Sequence, residues 1–254
     1  MLTRRTAATS LAGALAAPLW ARRAAAREPV DLLLALAVDI SRSVDDDEAK
    51  LQRQGYIDAL TSPRVLAAIQ GGLLGAIAVA YVEWAGWEMQ RLVIPWTLVA
   101  NPADARLFAA AIAEAPRISL NWTSISGAIR FSHEVIDAAP YEGTRRVIDV
   151  SGDGVNNSGP PVDLMRNRAM AAGITINGLP IMNDRPTMGR PPPPDLDLYY
   201  RDHVIGGQGA FMIPAEDFVA FGQAVQRKLI REIADRGPTG APSRAPTGVP
   251  HHTG

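Results

Sequence analysis

The chain has 254 residues, 47% of them hydrophobic and 20% charged, with a formal net charge of −1. That length and apolar content suffice for one well-filled α/β domain or two small ones. The absence of cysteine excludes a disulfide framework and thiolate chemistry.

The charge is unevenly spread. Arg4, Arg5, Arg22 and Arg23 lie in the first 26 residues with no acid beside them, so the remainder is acidic by about five charges. Nucleic acid is therefore not the expected partner, because phosphate binding needs clustered cations. Arg4-Arg5 precedes an apolar, Ala/Leu-rich stretch, Thr6 to Trp20, and Ala24-Ala25-Ala26 offers a small-residue cleavage site. Residues 1–26 therefore read as an export signal, and the mature protein is expected in the periplasm or outside the cell. The arginine pair resembles a twin-arginine signal, although Thr6-Ala7-Ala8 lacks its bulky apolar pair. No stretch is long enough for stable membrane insertion.

Val30–Val38 is a near-continuous apolar run, as expected of a central strand covered on both faces. A helix follows from Asp45 to about Leu60, with acids crowding its first turn, and a shorter one runs from Pro63 to Ile69. Leu73–Trp84 and Glu88–Ile94 flank Ala85-Gly86 and read as a hairpin. Pro102–Ala115 and Ser124–Ala138 are helical, each stopped by a proline. Arg145–Val150 is the next strand, buried from Val147, then Val162–Ala172 a helix closed by Gly173, and Ile174–Pro180 a strand. Residues 182–195, with prolines at 191 to 194, should be a surface loop. A short helix over Asp197–Val204, a short strand Phe211–Ile213 and a final helix Ala215–Ile233 complete a domain spanning 27–236. Residues 237–254 are Gly-, Pro- and Thr-rich and are expected to be disordered.

Strands alternating with helices predict an α/β fold: a Rossmann-like, doubly wound, mostly parallel sheet with one antiparallel edge strand and helices on both faces. Such sheets bind ligands beyond the carboxyl ends of their strands. Asp39 and Asp153 both fall there. Asp39, Ser41 and Ser43, each two residues apart, project to one side of an extended turn. Thr123 stands where a helix begins, and Asp153-Gly154 follows a strand. Two carboxylates and three hydroxyls are hard oxygen donors, which suit Mg²⁺, with Mn²⁺ or Ca²⁺ as alternatives, and disfavour Zn²⁺. Their charge at most neutralises a dication, leaving an electrophile whose shell an outside carboxylate can complete.

This arrangement, D-x-S-x-S, then Thr before a helix, then Asp-Gly after a strand, resembles the metal-ion-dependent adhesion site of von Willebrand factor type A domains. The resemblance covers about Val30 to Ile233. Together with the export signal and the Ser-Gly-Asp-Gly-Val-Asn-Asn stretch, it resembles an uncharacterised exported bacterial branch of that superfamily, DUF1194-like. It implies a metal at the upper edge of the sheet and a protein partner held through an acidic residue.

Each residue also has a plainer explanation. Asp39, Ser41 or Ser43 can cap the following helix, Thr123 can cap the next, and Asp153-Gly154 is an ordinary turn sequence. Asp149, in a buried strand, is either an outer support of the metal or a partner of Arg145 or Arg146. Trp122 neighbours Thr123 and can line a ligand surface, whereas Trp84, Trp87 and Trp96 read as packing. The histidines at 133, 203, 251 and 252 stand away from the motif corners, so no Ser/His/Asp arrangement is supported. The leading expectation is a non-enzymatic binding module. The alternative is a metal-dependent, phosphatase-like hydrolase with Asp149 as its base, and a third possibility is a scaffold with a vestigial site.

Overall fold

The structure is a computed structural model, and it describes residues 26–183, 186 and 191–235. The expected signal (residues 1–25 of it) and the tail from 237 lie outside the described residues.

Five strands form one sheet: β1 (Glu28–Asp39), β2 (Ile77–Trp84), β3 (Gln90–Val99), β4 (Tyr141–Gly152) and β5 (Thr175–Pro180). Their order is β3-β2-β1-β4-β5, with β2, β1, β4 and β5 parallel and β3 antiparallel at the edge. The fold class read from the sequence is the one found. Around the sheet lie α1 (Asp46–Thr61), α2 (Pro63–Gln70), α3 (Pro102–Glu114), α4 (Ile125–Asp137), α5 (Val162–Ala171), α6 (Leu196–Tyr199) and α7 (Phe221–Ala234). A single π-helical turn, Tyr200–Val204, continues α6.

Strand β1 shows why its sequence is apolar at every step from Leu32 to Val38. Leu32, Leu34, Leu36 and Val38 pack into one core with residues of α1, α2, α3 and α7. The intervening Leu33, Ala35 and Ala37 pack into a second core with α4, α5 and α6. Alternate side chains leave opposite faces of a strand, so a strand covered twice has no polar register. The helices after β1 thus cover one face and the helix after β4 the other. The winding direction reverses between β1 and β4, and a crevice opens at their carboxyl ends.

Several elements differ from expectation: β2 begins at Ile77 rather than Leu73, and β3 runs from Gln90 to Val99 rather than from Glu88 to Ile94. β4 begins at Tyr141 rather than Arg145, because its exposed first turns still pair with β1 from Glu28 onward. Phe211–Ile213 forms no strand, only an isolated bridge between Gly178 and Met212. The last helix begins at Phe221, not Ala215. Ala215 instead donates its N–H to Pro180 and accepts from Met182, extending the edge of β5, and Asp217 accepts from the Ala220 N–H in a turn. Backbone groups spent on the sheet edge are not available to a helix.

Asp45 caps α1, accepting from the N–H groups of Asp47 and Glu48, while Glu48 accepts from the Asp45 N–H, a capping box. Gly55 of α1 lies against Gly222 of α7; a Cβ at Gly55 would stand 2.9 Å from the Gly222 Cα, so this helix pair crosses closely because neither residue has a side chain.

Candidate metal centre

Asp39 ends β1, and its side chain is fully buried. The chain then bends: the Ser41 N–H donates to Asp39 Oδ1 at 2.7 Å, and residues 40–42 pair with Leu120 through two backbone hydrogen bonds. That pairing draws the loop before α4 beside the loop after β1. Ser41 and Ser43 hydroxyls are 2.7 Å apart, and the Ser43 hydroxyl donates to Asp153 Oδ1 at 2.6 Å, joining loops 110 residues apart in sequence. A Cβ at Gly154 would lie 3.6 Å from the Thr123 hydroxyl, so Thr123 faces the Asp153-Gly154 turn. The five expected residues therefore stand at one corner of the sheet, with Asp39 as the floor.

The electrostatics of the floor are costly. Burial, then the Asp153 charge, push the Asp39 carboxyl well above its usual range, with the Ser41 contacts acting in the opposite direction. Asp39 Oδ2 is buried with no hydrogen-bond partner, and a Cβ at Gly152 would stand 2.9 Å from it. Burial raises the Asp153 carboxyl to about 6, with the Ser43 hydrogen bond pulling it down and the Glu48 charge adding to the rise. Two buried carboxylates that repel one another, one with an orphaned oxygen, are stable as anions only beside positive charge. A divalent cation fits this donor set. Among the described residues no group of three or more His, Cys, Asp or Glu side chains could hold a metal; the converging donors are two carboxylates and three hydroxyls.

The Thr123 loop is fixed by two adjacent asparagines, Asn156 and Asn157, whose role no local pattern in the sequence assigns. The Thr123 N–H donates to Asn157 Oδ1 at 2.8 Å, and the Asn157 N–H donates to the Thr123 carbonyl at 2.8 Å. Asn156 Oδ1 accepts from the Ser126 N–H, and Ser124 caps α4 by accepting from the Gly127 N–H. The adjacent asparagines after Asp-Gly signal only a general role, since Asn side chains commonly satisfy loop backbone.

Above the cluster lies an open pocket of about 670 Å³, walled by Arg42, Trp122, Val155 and prolines 191–193. The prolines were expected in a plain surface loop; they form one side of this pocket. Trp122 lines it as expected, whereas Trp84 is buried, Trp96 donates to the Val135 carbonyl, and Trp87 lies beneath the Arg130 guanidinium.

Asp149 pairs with neither Arg145 nor Arg146. Its Oδ1 is 2.6 Å from Lys228 Nζ of α7, and Lys228 also contacts Glu232, all three side chains closed to solvent. Arg145 instead donates to the carbonyls of Glu232 and Ile233, and Arg146 to that of Ala172.

A search of curated protein sequences gives no match. Solved structures of similar fold include the pilus adhesin SpaC of Lactobacillus rhamnosus GG, 14% identical, TM-score 0.60, covering 83% of this chain and 31% of the adhesin. A von Willebrand factor type A protein of Catenulispora acidiphila is 15% identical, TM-score 0.55, covering 82% of this chain and 43% of that one. Proximal thread matrix protein 1 of the mussel byssus, with a zinc-occupied MIDAS motif, is 13% identical, TM-score 0.55, covering 83% and 48%. The chain thus spans less than half the length of each. The family described as protein of unknown function DUF1194 matches residues 29–237. The chain belongs to the DUF1194 family, and its fold is similar to that of the von Willebrand factor type A protein of Catenulispora acidiphila.

Proposed function

We propose that the protein is an exported binding module that holds a divalent cation on Asp39, Ser41, Ser43, Thr123 and Asp153 and binds a protein partner through an acidic residue. The observation that carries this reading is the orphaned, buried Oδ2 of Asp39 beside the Asp153 carboxylate. Oxygen-only donors favour Mg²⁺, with Mn²⁺ or Ca²⁺ as substitutes. The neighbour with zinc in its MIDAS motif supports the use of a divalent ion on this fold. When bound, the ion would supply a positive centre that attracts a carboxylate of the partner. The chain's own residues set its geometry: Ser41 and Ser43 bridge the carboxylates, and Asn157 holds the Thr123 loop.

The hydrolase alternative named Asp149 as the base, but that carboxylate is spent on Lys228 within the core, so no observation favours it. Localisation in the periplasm or outside the cell rests on the reading of residues 1–26 as an export signal. No helix among the described residues is long and apolar enough to cross a membrane. The testing experiment is calorimetry with Mg²⁺ and Mn²⁺ on the wild type and Asp39→Ala, beside a pull-down from periplasmic extract with and without chelator. One-to-one binding lost in Asp39→Ala, with ion-dependent capture of a partner, supports the reading. Unchanged ion binding in the variant rejects it.

A further inference from the structure

The pocket over the oxygen cluster has an uneven lining. Among its described lining residues, Arg42 is the sole cation and Asp153 the sole acid, and Trp122, Val155 and prolines 191–193 make up the apolar walls. Arg42 is exposed, and its guanidinium makes no hydrogen bond or ion pair to any described residue. A dication balanced by Asp39 and Asp153 would leave this basin positive through Arg42.

Trp122 adds an independent observation. Its φ is +70°, in the left-handed region that non-glycine residues rarely adopt, and 62% of its surface is exposed. The backbone cannot relax, because neighbours hold it on both sides. The Gly86 N–H donates to the Asn121 carbonyl at 3.1 Å, and the Thr123 N–H donates to Asn157. A large indole carried on a strained residue gains little from packing when most of it faces water. Such strain persists where surrounding contacts over-determine it, commonly at ligand sites. Here it presents a rigid aromatic surface beside the cluster. Prolines 191–193 in the same lining have fixed φ and lose little freedom when covered.

We propose that this pocket receives an extended acidic segment of a partner protein, carrying two carboxylates with an apolar side chain between them. One carboxylate meets the cation, the second meets Arg42, and the apolar group lies between Trp122 and the proline wall. The inference rests on the cation reading of the five-residue cluster. It adds that one acid is not sufficient and that Arg42 and Trp122 set specificity.

The test uses the full chain loaded with Mg²⁺ and terminally blocked synthetic peptides. One set carries two Glu residues separated by one to three residues including a Leu. In the second set one Glu is replaced by Gln, and in the third the Leu by Gly. By calorimetry, the best two-acid peptide should bind about tenfold more tightly than its one-acid counterpart. Arg42→Gln should erase that advantage, and Trp122→Gly should erase the advantage of Leu over Gly. Glycine adopts positive φ freely, so Trp122→Gly should keep or raise Tm while losing peptide affinity. A lowered Tm with peptide affinity intact would make the indole structural and overturn its assigned role. Mn²⁺ titration without peptide separates the two readings. If wild type, Arg42→Gln and Trp122→Gly all bind the ion and no peptide set discriminates, this inference fails and the cation site stands. If the wild type binds no ion, both fail.

Discussion

Lys228 of α7 reaches through the core to Asp149 of β4 at 2.6 Å, and the same ammonium contacts Glu232 one turn along its own helix. One cation thus serves two carboxylates, and Asp149 Oδ2 and Glu232 Oε2 have no hydrogen-bond partner. Asn177 of β5 donates to Glu232, and its Oδ1 accepts from the Phe211 N–H, so the cluster ties α7, β4, β5 and the segment at 211 together. A helix whose apolar residues share one core with those of β1 is thereby registered against the strand that ends at the candidate metal centre.

Removing the single cation should be severe. Lys228→Met leaves two buried carboxylates without a counter-charge, and breaking a buried pair from one side costs about 3–5 kcal/mol. Urea denaturation at pH 7 measures it. A loss well under 1 kcal/mol would mean that water reaches these groups.

The same cluster should give a pH signature. Burial, then the Glu232 charge, raise Asp149 to about 7 from its ordinary 3.8, against the pull of Lys228. The folded state therefore holds this proton more tightly than the unfolded state. The stability this provides is fully present below pH ~4 and is lost as pH rises to about 7. The stability of the wild type relative to Asp149→Asn should accordingly fall between pH 5 and 7, by at most about 1.4 kcal/mol per pH unit, and level off above. A difference that grows with pH would show that Lys228 keeps Asp149 ionised.

Asp39 should trade stability for binding. In chelator, Asp39→Asn removes a buried charge that faces Asp153, and should stabilise the fold by on the order of 1 kcal/mol. With Mg²⁺ at a hundred times its dissociation constant, the wild type should gain about 2.7 kcal/mol and the variant nothing. Thermal unfolding with and without the ion reads both arms. A variant destabilised in chelator and still stabilised by Mg²⁺ would contradict the assignment.

Thr123→Ala removes a hydroxyl whose loss leaves no charge unpaired, and the loop keeps its backbone hydrogen bonds to Asn157. Thr123 is buried, so the variant in chelator should lose about 1 kcal/mol of stability, the typical cost of a single substitution, and no more. Ion affinity and ion-dependent partner capture should both weaken. Calorimetry and surface plasmon resonance would show the split, and equal partner binding in both proteins would exclude Thr123 from the site.

If residues 1–26 are an export signal, N-terminal sequencing of periplasmic material should begin at Arg27. Recovery of cytoplasmic protein with Met1 intact would refute the localisation. Retained export in a double variant, Arg4→Lys with Arg5→Lys, would reject the twin-arginine route alone.

Local pattern was enough for much of this. The near-continuous apolar run of β1 announced a strand covered twice, and the placing of Asp39, Thr123 and Asp153 at strand and helix ends predicted one rim. Those features are short-range, because periodicity and capping depend on residues a few positions apart. What the sequence could not decide were contacts that close over long separations. Asp149 had two arginines nearby in sequence, yet its partner lies on α7, 79 residues away, because strand geometry sends its side chain to the α7 face. The last helix begins at Phe221 instead of Ala215, since Ala215 satisfies its backbone at the edge of β5. Prolines 191–193 are the surface loop that the sequence predicts, but only the folded chain brings that loop to the pocket that Thr123 also lines. In each case a polar or stiff segment had several locally adequate solutions. Tertiary packing chose among them through contacts far apart in sequence: Lys228 for Asp149, the β5 edge for Ala215 and the pocket rim for the prolines.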